Sequence, residues 1–513
     1  MAAATAATTT NGTSKLDWTT FYNVIDGKLE TTGKTRHSVN PSTLEANPEV
    51  PVSTPEDVDR AVQAARRAQE GWAETPYEER QKALARLAEA IEAHADEFAL
   101  MLTKEQGKAL QFSHFEVSEC VKHFKGMSSL PFSEEVVDNN PDRRIITRYT
   151  PLGVAVGIVP WNCNPPPSRY GPDSRLVDFS AKRVVLIWGI YAACGKIGPG
   201  LVTGNAFILK PSPFTPYCDL KLVELAQQFF PPGVFQALSG DDNLGPWLTS
   251  HPGVDKVSFT GSTATGKRVM ESCSKTLKRV TLELGGNDAA IVLPDVDVKA
   301  VAPKIAMLAL YNSGQVCVAI KRLYIHEDIY DELVAEIAGF VKNLPVGDGR
   351  QESSVLGPVQ SQMQFDRVRE LLQDIEEQKL KVVAGSTAPA DHGKGYFITP
   401  TIVDNPPDDS RIVVEEPFGP VFPVLKWSDE KDVVRRANDT LMGLGASVWS
   451  KDLDKAQSIG KKLKAGSIWI NSHLELQYDV PFGGHKQSGV GHQYGAAGLK
   501  AYCNAQSMFV TKA

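Results

Sequence analysis

The sequence predicts an α/β protein built on parallel β-sheets. From about residue 130 onward, short β-rich runs alternate with helical segments, which is typical of parallel strands joined by helices. The 513 residues are too many for one ordinary hydrophobic core, so we expect two or three domains. The simplest division places two α/β domains on either side of Leu284.

The region before residue 130 is predicted to be mostly helical. Thr54 followed by Pro55 has the N-cap and first-position pattern of a helix start. A second start is predicted at Thr75, which precedes Glu78 with the spacing of a capping box. We predict strands over residues 144–148, 154–159, 206–209, 256–259, 280–282, 289–292 and 322–325, and helices over residues 221–229 and 329–341.

Composition and charge describe a globular protein. Hydrophobic residues make up 42% of the chain and charged residues 22%, with a net charge of -7, which argues against nucleic acid or an anionic membrane as the main partner. Residues 1–16 lack the marks of a signal or transit peptide and are predicted to be a disordered tail. The longest apolar run, residues 184–194, is too short to span a bilayer. We therefore expect a cytoplasmic location.

The seven cysteines are scattered and include no Cys-x-x-Cys pair. This pattern favours reduced thiols in a cytosolic protein over a disulfide framework or a zinc site, and we expect no metal. The cysteines are Cys120, Cys163, Cys194, Cys218, Cys273, Cys317 and Cys503.

One of these cysteines lies in a turn that suggests a nucleophile. Residues 312–317 read NSGQVC, and Glu283 follows an apolar run and precedes two glycines. A lone cysteine is most often a small buried hydrophobe, and a lone glutamate is most often exposed. The glycine-bearing turns favour instead a nucleophile, Cys317, and its general base, Glu283. These two runs resemble the signatures of the NAD(P)-dependent aldehyde dehydrogenase superfamily.

The resemblance implies a covalent mechanism. Cys317 would attack the aldehyde carbonyl to give a thiohemiacetal, and oxidation would leave a thioester. Glu283 would activate the water that hydrolyses this thioester. Asn162, which ends the run IVPWN, would stabilise the oxyanion through its side-chain amide together with the backbone N–H of the cysteine.

The resemblance also implies a dinucleotide site for NAD or NADP. Residues 259–266 read FTGSTATG after a predicted strand, so that backbone and a helix N-terminus can approach a pyrophosphate. Lys210 would reach the adenosine ribose, and Glu416 and Phe418 would contact the nicotinamide side. A solvated surface charge is the alternative for Lys210 and for Glu416. The implied cofactor-binding residues are Trp161, Lys210, Gly261, Ser262, Gly266, Glu416 and Phe418.

Two further runs bear on this resemblance. Family members that select NAD often carry a glutamate three residues after the lysine, whereas this chain has Pro213, which leaves NAD and NADP both open. Residues 481–489 read PFGGHKQSG and resemble a signature that supports the floor of the active site.

The domain organisation that the resemblance implies has three parts. The NAD(P)-binding domain would comprise residues 17–130 and 153–284, and the catalytic domain would comprise residues 285–480. Residues 131–152 and 481–513 would form oligomerisation elements, with a small hairpin in the first of them. The partners implied are a small-molecule aldehyde and further copies of the chain, in a homodimer or homotetramer.

One segment departs from the family pattern. Between Asn162 and Lys196 the family has roughly eight residues, whereas this chain has 33. We interpret segment 163–191 as an artefact of gene prediction, such as a translated intron, and a spliced transcript that encodes it would refute this. The alternative is a genuine segment that disrupts the oxyanion loop and substrate tunnel and impairs or abolishes activity.

A second alternative concerns the fate of the thioester. A coenzyme A-acylating enzyme would fit the same fold, but the presence of Glu283 favours hydrolysis to a free acid.

Overall fold

The computed structural model describes residues 16–162, 190–388 and 393–512. Most of segment 163–191 and most of the predicted N-terminal tail lie outside these described residues. Within the described residues, no helix has both the length and the apolarity needed to cross a bilayer.

The secondary structure is an alternation of strands and helices that follows the predicted α/β pattern. The strands are β1 (Asn23–Ile25), β2 (Lys28–Glu30), β3 (Thr35–Arg36), β4 (Val50–Pro51), β5 (Glu135–Asn139), β6 (Arg143–Pro151), β7 (Val154–Ile158), β8 (Ala206–Lys210), β9 (Phe235–Ala237), β10 (Lys256–Thr260), β11 (Arg279–Glu283), β12 (Asp288–Val292), β13 (Ile320–His326), β14 (Val382–Ala384), β15 (Thr401–Asp404), β16 (Val421–Trp427), β17 (Gly445–Trp449), β18 (Ser467–Ile470), β19 (Gly489–Val490) and β20 (Cys503–Thr511). The α-helices are α1 (Pro55–Glu74), α2 (Tyr77–Ala93), α3 (Ala95–Gln106), α4 (Leu110–Met127), α5 (Ile190–Val202), α6 (Tyr217–Ala226), α7 (Leu244–Ser250), α8 (Thr263–Ser274), α9 (Val298–Leu310), α10 (Tyr330–Lys342), α11 (Gln362–Glu377), α12 (Arg411–Val414), α13 (Glu430–Asn438), α14 (Leu453–Gly460) and α15 (Gly495–Lys500).

The first large sheet has eight strands in the order β19-β11-β10-β7-β8-β9-β1-β2. The five central strands run parallel to one another, in the order β11, β10, β7, β8 and β9. The edge strands are antiparallel to their neighbours: β19 beside β11 at one edge, and β1 and β2 beside β9 at the other. The residues of β7, β8 and β10 are all buried, as expected for parallel strands that are covered on both faces. This arrangement confirms the predicted parallel α/β sheet.

The second large sheet has seven strands in the order β14-β15-β16-β13-β12-β17-β18. All of its neighbours pair in parallel except the edge pair β14 and β15, which is antiparallel. Its strands all lie within the predicted catalytic domain, residues 285–480. The domain boundaries themselves stay a prediction.

The predicted hairpin near residues 131–152 forms a separate three-stranded sheet. Strands β5 and β6 pair in an antiparallel manner, and β20 from the C-terminal region adds to β6. Strand β19, by contrast, lies on the edge of the first large sheet beside β11. Residues 481–513 therefore contribute to two different sheets.

The predicted helix starts have different outcomes. Thr54 is the N-cap of α1 and forms a reciprocal capping box with Asp57, as its position before a proline indicates. The capping box at Thr75 is wrong, since α2 begins at Tyr77 without a side-chain cap. Thr75 is the C-cap of α1, and its hydroxyl donates to the carbonyl oxygen of Gly71 at 3.0 Å. The link between the two helices is so short that Thr75 serves the helix before it.

These two threonines provide a matched test of capping. We expect Thr54→Ala to lower the free energy of unfolding by about 1 kcal/mol, because the backbone N–H of Asp57 in the first turn of α1 loses the Thr54 hydroxyl as its acceptor. We expect Thr75→Ala to change it by less than about 0.5 kcal/mol. Urea denaturation followed by far-ultraviolet circular dichroism measures both, and equal losses would contradict the assignment.

Candidate active site

Three of the predicted site residues, Asn162, Lys210 and Glu283, lie at the carboxyl ends of parallel strands of the first large sheet. Asn162 follows β7, Lys210 ends β8 and Glu283 ends β11. The register sets these ends level, since Ile158 pairs with Lys210 and Thr260 pairs with Glu283. Ligands in open parallel sheets bind in the crevice outside the carboxyl ends of the strands, and the site has this position.

The structure brings the predicted nucleophile and base into contact. The Sγ of Cys317 donates a hydrogen bond to Oε1 of Glu283 at 3.2 Å, and both side chains are buried. Glu283 comes from the first large sheet, whereas Cys317 precedes β13 of the second. The contact therefore joins the two sheets.

Glycines allow the loops around Cys317 to approach one another closely. Gly314 has φ of 72°, and a Cβ on it would lie 1.9 Å from the carbonyl oxygen of Gly419. A Cβ on Gly286 would lie 2.4 Å from the carbonyl oxygen of Cys317. Side chains at these positions would force the loop that carries Cys317, residues 311–319 (the cysteine loop), away from its neighbours.

Burial and nearby charges set the protonation of the pair. Burial raises the pKa of Glu283 to about 7, although the Lys196 ammonium and the Cys317 thiol act to lower it. The pKa of the Cys317 thiol lies well above its usual value because of burial and the Glu283 carboxylate. The resting thiol is therefore protonated at neutral pH and acts as the hydrogen-bond donor.

Asn162 lies beside the cysteine loop. Its Nδ2 donates to the carbonyl oxygen of Gln315 at 3.1 Å, two residues before Cys317. The side chain of Gln315 is itself held, since its Oε1 accepts a hydrogen bond from the backbone N–H of Gln360 at 2.8 Å. The predicted oxyanion donor is thus connected to the predicted nucleophile through one short stretch of backbone.

Glu416, Phe418 and Trp161 lie on the same side of the cysteine loop. Oε1 of Glu416 accepts a hydrogen bond from the backbone N–H of Gly286 at 3.2 Å, and burial raises the pKa of this carboxyl. The rings of Trp161 and Phe418 meet edge to face, with centroids 5.5 Å apart. Since the Glu416 side chain is only 16% exposed and binds Gly286 and Lys321, the alternative of a solvated surface charge does not describe it.

Lys210 is also not a surface charge. Its Nζ donates to the carbonyl oxygen of Pro211 at 3.1 Å, and burial lowers its pKa to about 8 despite the nearby Asp242 and Asp241 carboxylates. Among the described residues, no carboxylate lies within salt-bridge distance of the Lys210 ammonium. A buried ammonium in this setting suits a polar ligand such as the ribose of a dinucleotide.

The FTGSTATG run opens α8 as predicted. Ser262 is the N-cap, and its Oγ accepts a hydrogen bond from the backbone N–H of Thr265 at 3.3 Å. A Cβ on Gly266 would lie 2.5 Å from a Cδ atom of Leu284, and the backbone N–H of Gly261 donates to the carbonyl oxygen of Glu283 at 3.1 Å. The turn before α8 is thus held next to Glu283, the predicted base. The backbone N–H groups at the N-terminus of α8 suit a phosphate of NAD(P). Together with Lys210 and Glu416, the residues present fit a dinucleotide.

The run PFGGHKQSG holds the turn after Glu283. Oγ of Ser488 donates to the carbonyl oxygen of Gly285 at 2.6 Å and accepts from the backbone N–H of Gly443 at 2.9 Å. Gly489 pairs with Glu283 in the β11–β19 ladder. The run therefore contacts both Glu283 and the turn that follows it, as expected for a segment that supports the predicted base.

Two buried lysines at the site were not predicted. Nζ of Lys196 donates to Oγ1 of Thr260 at 2.6 Å. Nζ of Lys321 donates to the backbone carbonyl oxygens of Val316, at 2.8 Å, and of Cys317. The available signal for Lys321 was its position between the apolar run 316–320 and the predicted strand 322–325, where burial of a charge would be costly.

Comparison with known proteins identifies relatives along nearly the whole chain. A model of the aldehyde dehydrogenase family matches residues 29–165 and 189–508, and residues 166–188 are left unmatched. The aldehyde dehydrogenase LUC3 of a Fusarium species is 39% identical over 97% of this chain and 100% of its own length. A phenylacetaldehyde dehydrogenase of Pseudomonas fluorescens is 35% identical over 93% of both chains. The NAD+ complex of an aldehyde dehydrogenase from Bacillus cereus superposes with a TM-score of 0.88 and 32% identity over 96% of each chain. The predicted fold class is therefore confirmed.

The Cys317–Glu283 contact makes a prediction about thiol reactivity. In Glu283→Gln the pH midpoint of Cys317 alkylation by iodoacetamide is expected to fall, because the carboxylate that raises the thiol pKa is gone. Each pKa unit removed increases the thiolate fraction about tenfold at pH values below the midpoint. Mass spectrometry of the alkylated peptide over a pH series measures the midpoint.

The matched control is Glu271→Gln, which removes an exposed carboxylate from α8. Its midpoint should equal that of the unmodified chain. A midpoint that stays unchanged in Glu283→Gln would show that the two side chains are not in contact in solution.

Proposed function

Since the chain belongs to the aldehyde dehydrogenase family, we propose that it oxidises an aldehyde to a carboxylic acid with NAD or NADP and water. The observation that carries the proposal is the hydrogen bond between the Cys317 thiol and the Glu283 carboxylate at 3.2 Å. This pair supplies a nucleophile for the carbonyl and a base for water in one buried place.

When bound, NAD(P)+ would supply the two-electron oxidant of the reaction by accepting a hydride. Lys210, Ser262, Gly261 and Gly266 would hold the adenosine and phosphate end, whereas Trp161, Glu416 and Phe418 would hold the nicotinamide end. The NAD+ complex of the Bacillus cereus relative supports NAD as a cofactor. Pro213 offers no carboxylate to repel a 2′-phosphate, so we propose that both cofactors are accepted.

The first chemical step in this proposal forms the bond between Sγ of Cys317 and the aldehyde carbon. The thiol proton leaves to Glu283, which already accepts its hydrogen bond. The carbonyl oxygen takes the electron pair of the broken π-bond, and the Nδ2 of Asn162 and the backbone N–H of Cys317 stabilise it. Oxidation of the thiohemiacetal then leaves a thioester on Cys317.

The second step hydrolyses the thioester. Glu283, after releasing the first proton to solvent, removes a proton from water as its oxygen adds to the acyl carbon. The C–S bond then breaks, Cys317 leaves with the electron pair, and the carboxylic acid is released. Because Glu283 is in hydrogen-bond contact with Cys317, hydrolysis is favoured over transfer of the acyl group to coenzyme A. Product analysis with and without coenzyme A separates the two outcomes.

The class of aldehyde is open to a direct assay. The phenylacetaldehyde dehydrogenase relative supports including arylacetaldehydes in a panel with aliphatic aldehydes and semialdehydes. NADH or NADPH formation at 340 nm reports turnover for every member of the panel.

We propose a cytoplasmic homodimer or homotetramer. The three-stranded sheet supports the association, since β20 is an edge strand that exposes Phe509 (74%) and Val510 (42%), and Val137 on β5 is 65% exposed. An edge strand with apolar side chains is a ready template for pairing between chains. The scattered cysteines, buried and free where they are described, support a reducing compartment.

The pKa of Glu283 makes a prediction about turnover. The rate of acid formation should rise with pH and reach half its plateau near the carboxyl pKa of about 7, because only the carboxylate can accept a proton from water. Glu283→Gln should lose this dependence and lower kcat by about 10²- to 10⁴-fold. It should retain a burst of about one NADH per site, since the thioester accumulates.

Stopped-flow absorbance at 340 nm measures the burst and the steady state together. Glu271→Gln again provides the control and should keep the full pH profile. Unchanged kcat in Glu283→Gln would overturn the assignment of the base.

Segment 163–191 supports a second candidate, a family member with impaired activity. The segment begins one residue after Asn162, and residues 166–188 fall outside the family match. If the segment obstructs the site, a chain from which residues 166–188 are deleted should oxidise aldehydes faster than the full chain. Equal turnover by the two purified proteins would refute impairment.

A further inference from the structure

Lys321 is a buried cation next to the proposed nucleophile. It lies on β13 between Ile320 and Arg322, both buried, and its own side chain is 3% exposed. A buried ammonium is costly unless hydrogen bonds and an opposite charge surround it. The groups that Lys321 binds therefore indicate which part of the structure this buried charge holds in place.

The contacts converge on the peptide groups of the nucleophile. Nζ of Lys321 donates to the carbonyl oxygen of Val316 at 2.8 Å and to that of Cys317. The Val316 carbonyl and the Cys317 N–H belong to one peptide group, and in a trans peptide they point in opposite directions. A cation on the carbonyl oxygen therefore fixes the direction of the Cys317 N–H and strengthens it as a donor.

The same ammonium contacts the proposed cofactor carboxylate. Nζ of Lys321 lies 3.4 Å from Oε1 of Glu416, and this oxygen also accepts from the backbone N–H of Gly286. Gly286 in turn packs against the carbonyl oxygen of Cys317. Lys321 thus closes a ring of contacts that includes the nucleophile, the turn after the base and Glu416.

We propose that Lys321 is a positioning residue for aldehyde oxidation, which orients the Cys317 N–H toward the oxyanion and holds the Glu416 carboxylate for the cofactor. The proposal rests on the proposed function, because it concerns the oxyanion and the cofactor of that reaction. Lys321 touches neither of them directly in this scheme and acts through Cys317 and Glu416.

The charges around the cysteine loop agree with this role. Lys321 lowers the pKa of the Cys317 thiol, whereas Glu283 from β11 and Glu416 raise it. Burial raises the pKa of Asp288 on β12, and the Lys321 ammonium opposes this rise. His473, whose Nε2 contacts the Val318 carbonyl oxygen at 2.8 Å, is kept neutral by burial, which lowers its pKa to about 3.

The test compares Lys321→Met with Lys321→Arg in the full chain. The methionine keeps the length of the side chain without its charge or donors, whereas the arginine keeps both. We expect Lys321→Met to raise the pH midpoint of Cys317 alkylation and to lower kcat/KM by about 10²- to 10³-fold, comparable with the loss of an oxyanion donor. The KM for NAD+ should rise, and Lys321→Arg should recover part of each loss.

Lys221→Met is the matched control. Lys221 is another fully buried lysine paired with a glutamate, Glu224, but it lies on α6. Its replacement should lower the melting temperature without moving the alkylation midpoint or the KM for NAD+. If Lys321→Met behaves like this control, Lys321 supports the fold alone and the proposal is overturned.

Two further measurements keep the outcome decisive. If Lys321→Met does not fold, Lys321→Gln retains a donor for the two carbonyls without the charge, and the same shift in the alkylation midpoint is expected. If the unmodified chain oxidises no aldehyde, the proposed function fails, yet alkylation and NAD+ binding, followed by quenching of tryptophan fluorescence, still test Lys321. Unchanged values of both in Lys321→Met would overturn its role independently of turnover.

Discussion

The hydrogen bond between Cys317 and Glu283 is the contact on which the proposed site depends, because it joins the two large sheets. Only residues 284–287 connect β11 of the first sheet to β12 of the second. This connection is held on one side by Ser488, which binds the Gly285 carbonyl oxygen. On the other side, the guanidinium of Arg322 donates from Nε and Nη2 to the carbonyl oxygen of Asn287 at 3.0 and 2.8 Å. A short connection fixed at both ends keeps the thiol and the carboxylate within hydrogen-bond distance.

Burial of this contact requires balanced charge around it. Glu283 and Glu416 are both carboxylates in a poorly solvated place, and burial raises the pKa of each. Lys196 lies on the side of the first sheet, and Lys321 lies on the side of the second. Each ammonium opposes the rise in the pKa of one carboxylate, Lys196 for Glu283 and Lys321 for Glu416. The proposed base, Glu283, has a pKa of about 7, which is well matched to proton transfer near neutral pH.

The sequence predicted those parts of the molecule that local patterns determine. Apolar runs and glycine turns gave the central strands to within one or two residues, and the pattern Thr-Pro-Glu-Asp gave the cap at Thr54. The same reasoning failed at Thr75, because a local pattern does not show that the preceding helix ends on that residue. Resemblance to a family predicted roles for Cys317, Glu283 and Asn162, and the fold brings these three residues together. The resemblance did not identify Lys321, because its partners are backbone carbonyls and Glu416, 95 residues away, which are brought together only by the fold.

Asn162, just before segment 163–191, and Lys196, five residues after it, are each held by parts of the fold outside the segment. Asn162 is bound to the carbonyl oxygen of Gln315 in the cysteine loop, and Lys196 is bound to Thr260 at the end of β10. The proposed oxyanion donor and the cation beside the proposed base are therefore both bound by residues outside the segment. Burial raises the pKa of the Cys317 thiol most, Glu283 raises it further and Lys321 lowers it. Both charged groups lie outside the segment, so an effect of the segment on activity would act through the approach of the aldehyde or through the burial of the thiol.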